Sequence, residues 1–153
     1  SRHHASFGQG PYTDRVTRQT YRALLRRAAS ALQRGHSVIL DATFGRRWQR
    51  DLARHAAEDA GALFFCIECV ADTKTVYDRL ARRECDPTVV SDARWDTYLA
   101  QQRTFEDATE LDSWQHLAVN TGQPLDGCVS AARAELDARL SPRRSKGAKP
   151  VSQ

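Results

Sequence analysis

Methionine is missing from the 153-residue chain, which opens on Ser1. Reading frames start with methionine, so the expectation is a processed product, a trimmed chain or a fragment of something longer. Also missing is any apolar run near the roughly 20 residues that span a membrane. No apolar stretch follows Ser1-Arg2-His3-His4, as it would in a secretory leader. A cytoplasmic protein without membrane contact is therefore expected. Acidic residues are missing from the last thirteen positions, which carry Arg143, Arg144, Lys146 and Lys149. Without those four, 19 basic residues face 19 acidic ones, so the net charge of +4 belongs to the tail. The composition Ser-Pro-Arg-Arg-Ser-Lys-Gly-Ala-Lys-Pro predicts a basic, disordered tail over 141–153 behind a domain of 1–140. Lysine is scarce, 3 against 20 arginines, a ratio that fits codon bias better than phosphate binding everywhere.

Apolar residues make up 41% of the chain and charged residues 27%, an ordinary globular composition with room for one domain. Cysteines stand at positions 66, 69, 85 and 128. Cys66 and Cys69 form a Cys-x-x-Cys, but no second such pair follows to complete a zinc site. The pair lies in the apolar run Leu63-Phe64-Phe65-Cys66-Ile67-Glu68-Cys69-Val70, where strand geometry turns residues three apart to opposite faces. Buried, reduced, metal-free thiols are expected. His36, His55 and His116 have no ligand spacing between them.

Residues 1–12 are polar and glycine-rich and read as a loop, with Thr13-Asp14 as the cap of a first helix. Tyr21, Leu24, Leu25, Ala28, Ala31 and Leu32 then recur at three and four, and Gly35 supplies the stop. Ser37 to Asp41 is short and apolar enough for a buried strand ending in an acid. A second helix is expected over 46–59, stopped by Gly61, and a second strand over 63–70. Asp72-Thr73 caps a third helix to about Glu84, and residues 85–91 form a loop. Ser91-Asp92 caps a fourth helix, His116 to Asn120 reads as a third strand, and Leu125 to Leu140 as a last helix. This alternation predicts an α/β fold, a parallel sheet covered by helices on both faces.

Ligands of such sheets bind beyond the carboxyl ends of the strands. Three loops qualify: Asp41-Ala42-Thr43-Phe44 with Arg46, Arg47 and Arg50 behind it, the loop into Asp72, and Asn120-Thr121-Gly122. An acid closing an apolar strand suits the water shell of a magnesium ion, although aspartate after a strand is also a common helix cap. Arg79 and Arg83, four apart, share a helix face and can grip a phosphoryl group, although a solvated basic face has the same pattern.

The combination resembles a known family. It runs from Tyr12-Thr13-x3-Thr17-x3-Tyr21 through Gly35-x2-Val38-Ile39-Leu40-Asp41-Ala42-Thr43-Phe44-x5-Arg50 and Arg79-Leu80-x2-Arg83 to Ser91-Asp92-Ala93 and Gln102. These stretches resemble, in order over about 12–125, the P-loop kinase-like ATP-binding domains grouped with AAA-family ATPases. Many such domains are fused to an aminoglycoside-phosphotransferase-like domain, and they are similar to polynucleotide kinase, zeta toxin and gluconate kinase. The resemblance implies a three-layer α/β/α parallel sheet, ATP and Mg2+ as cofactors, and phosphoryl transfer to a hydroxyl on a small molecule or nucleic acid.

Asp41 would then organise the metal or act as base. Arg79 and Arg83 would steady the phosphoryl group, with 84–92 as a lid. Thr43, Arg46, Arg47 and Arg50 would meet the acceptor, and Thr121 and Gly122 the nucleotide. The family's Gly-x-x-Gly-x-Gly-Lys-Ser/Thr phosphate loop is not in this sequence. The fold is accordingly expected to be incomplete at its N-terminus, with a gap between the 38–41 and 63–70 strands, and this chain alone to be inactive. Two other readings stay open. One is a non-catalytic module that lost its phosphate loop and holds nucleic acid or a partner; the other is a small-molecule lobe of a larger enzyme.

Overall fold

The computed structural model describes residues 11–82 and 92–147. The elements are α1 (Pro11–Gln33), α2 (Arg47–Asp59), β1 (Cys66–Val70), α3 (Thr73–Arg82), α4 (Asp92–Thr104), β2 (His116–Asn120) and α5 (Leu125–Gly147). They fall into two compact units, Ser1–Phe64 with Asp92–Asp107 and Phe65–Ser91 with Ala108–Gln153.

In the first unit, α1 packs on α2. The stripe of α1 that recurs at three and four goes inward, with Tyr21, Leu25 and Ala28 buried. The opposing face of α2 contributes Ala53 and Ala57, whose small side chains let the helix axes approach. Both helices stop at a glycine in the left-handed region, Gly35 at φ 79 and Gly61 at φ 65. The bonds His36 N–H to Ala31 and Gly35 N–H to Leu32 close α1. Ala62 N–H to Ala57 and Gly61 N–H to Glu58 close α2 in the same pattern. Pro11 stands in the first turn of α1, where its missing N–H costs nothing, so the helix begins earlier than the expected cap at Thr13-Asp14.

The second unit holds a parallel pair, β1 and β2, in register from Cys66 opposite His116 to Val70 opposite Asn120. The α3 crossover precedes β2, and α5 packs back on β2. A helical chain with a small two-stranded parallel sheet is the incomplete α/β/α arrangement that the family resemblance implies.

Other expectations change as well. Residues 37–41 form no strand, and Ile39 is 95% exposed. An apolar run becomes a strand only when a neighbour takes its N–H and C=O groups, and no described residue does so here. The second strand is shorter than 63–70 because its ladder begins at Cys66, level with His116. The last helix runs seven residues past Leu140, to Gly147. In β1, Cys66 is half-buried and Cys69 exposed, not buried as the apolar run implied, whereas Cys128 in α5 is buried. Among the described residues no cluster of three metal-ligating side chains forms. No described helix is long and apolar enough to cross a membrane.

Candidate functional site

The loop from Asp41 to Phe44 is held from two sides. The Tyr21 hydroxyl lies 3.1 Å from Thr43 Oγ1 and accepts the Phe44 N–H at 3.1 Å. Tyr21 stands among the apolar residues of α1, so its ring packs edge-on against Phe44 and Trp48 while its hydroxyl reaches the loop. From the other side Arg50 donates to the Phe44 carbonyl at 3.0 Å and to the Asp107 carbonyl at 3.2 Å. Arg50 is 2% exposed, the most buried large side chain among the described residues. These contacts fix Phe44 at φ 42, a left-handed backbone that a β-carbon residue adopts only when its surroundings impose it. Asp41, Ala42 and Thr43 remain exposed. The Asp41 carboxylate is engaged by no other described residue.

The start of α2 is fastened to the segment after α4. Glu106 accepts from the Arg46 guanidinium at 3.0 Å and from the Arg47 N–H at 2.6 Å. Its own N–H reaches the Gly45 carbonyl at 2.8 Å. The Arg47 amide and the Arg46 guanidinium together hold the Glu106 carboxyl below the usual carboxylate range. Gln49 accepts the Arg46 N–H at 3.0 Å, satisfying a donor at the helix start. Arg46 and Arg47 are exposed, and Arg47 also lies 3.5 Å from Asp51.

In the second unit the carboxyl ends of β1 and β2 lie side by side. Thr121 donates its N–H and its hydroxyl to the Val70 carbonyl, at 2.8 and 3.0 Å. Arg79, one turn from the end of α3, bonds Thr121 Oγ1 at 3.2 Å and also the Thr121 carbonyl. The Gly122 N–H bonds Asn120 Oδ1 at 2.9 Å, and a β-carbon at Gly122 would stand 3.0 Å from that oxygen. Asp72 caps α3 through the Thr75 N–H and hydroxyl, at 2.8 and 2.7 Å, which lower its pKa. Arg79, Thr121 and Gly122 are thus brought together. Asp41, Thr43, Arg46, Arg47 and Arg50 are grouped separately, in the first unit. Arg83, the lid segment 84–91 and the Ser91 cap lie outside the described residues.

Sequence reasoning missed Tyr21 and Glu106. Tyr21 was legible as a polar atom inside an apolar stripe and as part of the family pattern, but not as a support of the loop. Glu106 is some sixty residues from its partners and left no local signal.

A family model described as AAA domain matches residues 2–108. The chain belongs to the AAA domain family. This is a P-loop, kinase-like family of nucleotide-binding domains. The AAA match takes in the whole Asp41 to Arg50 segment, Arg79, Glu106 and Asp107, and ends before Thr121 and Gly122. No curated protein and no solved structure matches the chain.

The fit of ATP and Mg2+ to an AAA chain with these residues is partial. Magnesium takes one or two carboxylates and completes its shell with water and phosphate oxygens, and exposed Asp41, engaged by no other described residue, suits that role. The Arg79–Thr121 turn presents a cation and a hydroxyl at the ends of two strands. The glycines, lysine and hydroxyl that cradle β- and γ-phosphates in the family motif are not among these 153 residues.

Proposed function

We propose that this AAA domain serves ATP-dependent phosphoryl transfer to a hydroxyl-bearing acceptor, a small molecule or a nucleic-acid end. The observation that carries the reading is the immobilised Asp41 to Phe44 loop. A strained backbone, a buried arginine and a tyrosine hydroxyl hold the loop that presents a carboxylate no other described residue engages. Phosphoryl transfer asks a protein for such positioning and for charge, with little covalent chemistry of its own. Mg-ATP supplies the phosphoryl group and neutralises its charge.

Asp41 takes the acceptor proton or holds the metal's water shell, and Thr43 with Arg46 and Arg47 faces the acceptor. Arg50 acts on the acceptor side through the loop, since its guanidinium is occupied by the Phe44 and Asp107 carbonyls. Arg79, Thr121 and Gly122 bear on the nucleotide, and Arg83 on the phosphoryl group. A second reading, a binding module without catalysis, draws on the absence of the glycine-lysine loop from this sequence.

The test joins a strand, a Gly-x-x-Gly-x-Gly-Lys-Ser segment and a helix ahead of Ser1. Transfer from γ-labelled ATP to a panel of hydroxyl acceptors is then followed. Transfer is expected, with Asp41→Asn lowering turnover by about 10²-fold, the cost typical of losing one transition-state electrostatic group. Full folding with ATP bound and no transfer to any acceptor would favour the binding module.

A further inference from the structure

The exposed side of α1 carries a pattern that the phosphoryl-transfer reading does not use. Its 23 residues include Arg15, Arg18, Arg22, Arg26 and Arg27 and a single acid, Asp14. At 3.6 residues per turn, positions 15, 18, 22 and 26 fall within an arc of about 80° and climb about 16 Å along the axis. All four are exposed. No carboxylate among the described residues pairs with Arg15, Arg22 or Arg26. Elsewhere in this unit several arginines do find acids: Arg46 with Glu106, and Arg47 and Arg54 with Asp51. Among the described residues the α1 ladder is therefore a run of charge without acid partners at Arg15, Arg22 and Arg26.

Beside it lies an open cleft of about 290 Å³ between α1 and α2, lined by Arg18, Arg22, Trp48, Asp51, Leu52 and His55. The Arg18 guanidinium sits 4.5 Å from the centre of the half-buried Trp48 ring.

We propose that this face of α1 binds the phosphate backbone of single-stranded nucleic acid, with Trp48 at its side meeting a base. A row of cations one helical turn apart matches a regularly charged strand. Every cation in it is arginine, whose planar fork suits phosphate oxygens better than an ammonium does. An aromatic ring at the edge of a basic track is how sequence-independent single-strand sites add stacking to charge. The proposal stands apart from the Asp41 loop and does not require ATP to bind.

The experiment is fluorescence anisotropy of the whole chain with a labelled oligothymidylate and the corresponding oligouridylate. Four arginine–phosphate contacts predict a slope of about −2.8 for log K against log salt, or roughly fifty-fold weaker binding between 50 and 200 mM. Arg15→Gln, Arg22→Gln and Arg26→Gln combined should flatten the slope to about −0.7, leaving the contact of Arg18. Glutamine keeps good helix propensity, so unchanged circular dichroism is expected. Replacing Arg143, Arg144, Lys146 and Lys149 by glutamine should leave affinity within two-fold. Loss of binding in that tail variant with an unaffected triple variant overturns the proposal. So does a polyglutamate peptide of equal charge that competes as well as the oligonucleotide.

Discussion

Replacing Arg50 by methionine tests whether a buried guanidinium organises the Asp41 loop. Methionine fills similar length and carries no charge, so packing around α2 is kept while the donors are lost. Arg50 gives the Phe44 carbonyl a bond of 3.0 Å and the Asp107 carbonyl one of 3.2 Å, at 2% exposure. Hydrogen bonds to charged groups are worth about 1.5–3 kcal/mol each, and the cost of desolvating the guanidinium offsets part of that. The net loss expected is about 2–3 kcal/mol. With a urea m-value of about 2 kcal/mol/M, the midpoint falls by about 1–1.5 M. Trp48 and Trp95 lie in the same unit and report its unfolding by fluorescence. Arg50→Lys should fall between the two, since an ammonium cannot span both carbonyls as the fork does. A midpoint change equivalent to less than about 0.5 kcal/mol, the range of an ordinary surface substitution, would refute the reasoning.

Tyr21→Phe should destabilise the same unit by about 1 kcal/mol, because the Phe44 N–H loses its acceptor while water can still reach it; urea unfolding measures this. Glu106→Gln should remove acid sensitivity from the start of α2. The folded carboxyl titrates below its unfolded value, so its stabilisation is present above that unfolded value and is lost as pH falls through the folded one. Wild type and variant should therefore differ in urea midpoint at pH 7 and converge only once the pH has fallen below the folded carboxyl's lowered value. Calorimetry of the chain with Mg-ATP should show no low-micromolar binding; such binding would mean that phosphates are held without the glycine-lysine loop. A thiol reagent should modify Cys69 quickly and Cys128 only after denaturant is added, and Cys69→Ser should abolish one fast equivalent.

Much of the local structure was determined by the sequence alone. The stripe from Tyr21 to Leu32 sets the buried face of α1, and Gly35 and Gly61 end two helices because a left-handed residue there costs glycine nothing. The run from His116 to Asn120 is a strand over its whole length, and the motifs from Tyr12 to Gln102 carry the family likeness. Each of these depends on periodicity or on the preference of a single residue, which neighbours in sequence suffice to specify.

Tertiary structure decided the rest. The apolar run at 37–41 has the composition of a strand, but ladder bonds come from another segment and none arrives. Whether Arg50 meets an acceptor or supports a loop was not legible, since its spacing from Arg46 and Arg47 is the same in either case. Burial against carbonyls at 44 and 107 made it a support. Glu106 and Arg79 find their partners some sixty and forty residues away. The pattern of one helix sets which face is buried, but only the folded chain determines which distant oxygen stands opposite a given guanidinium.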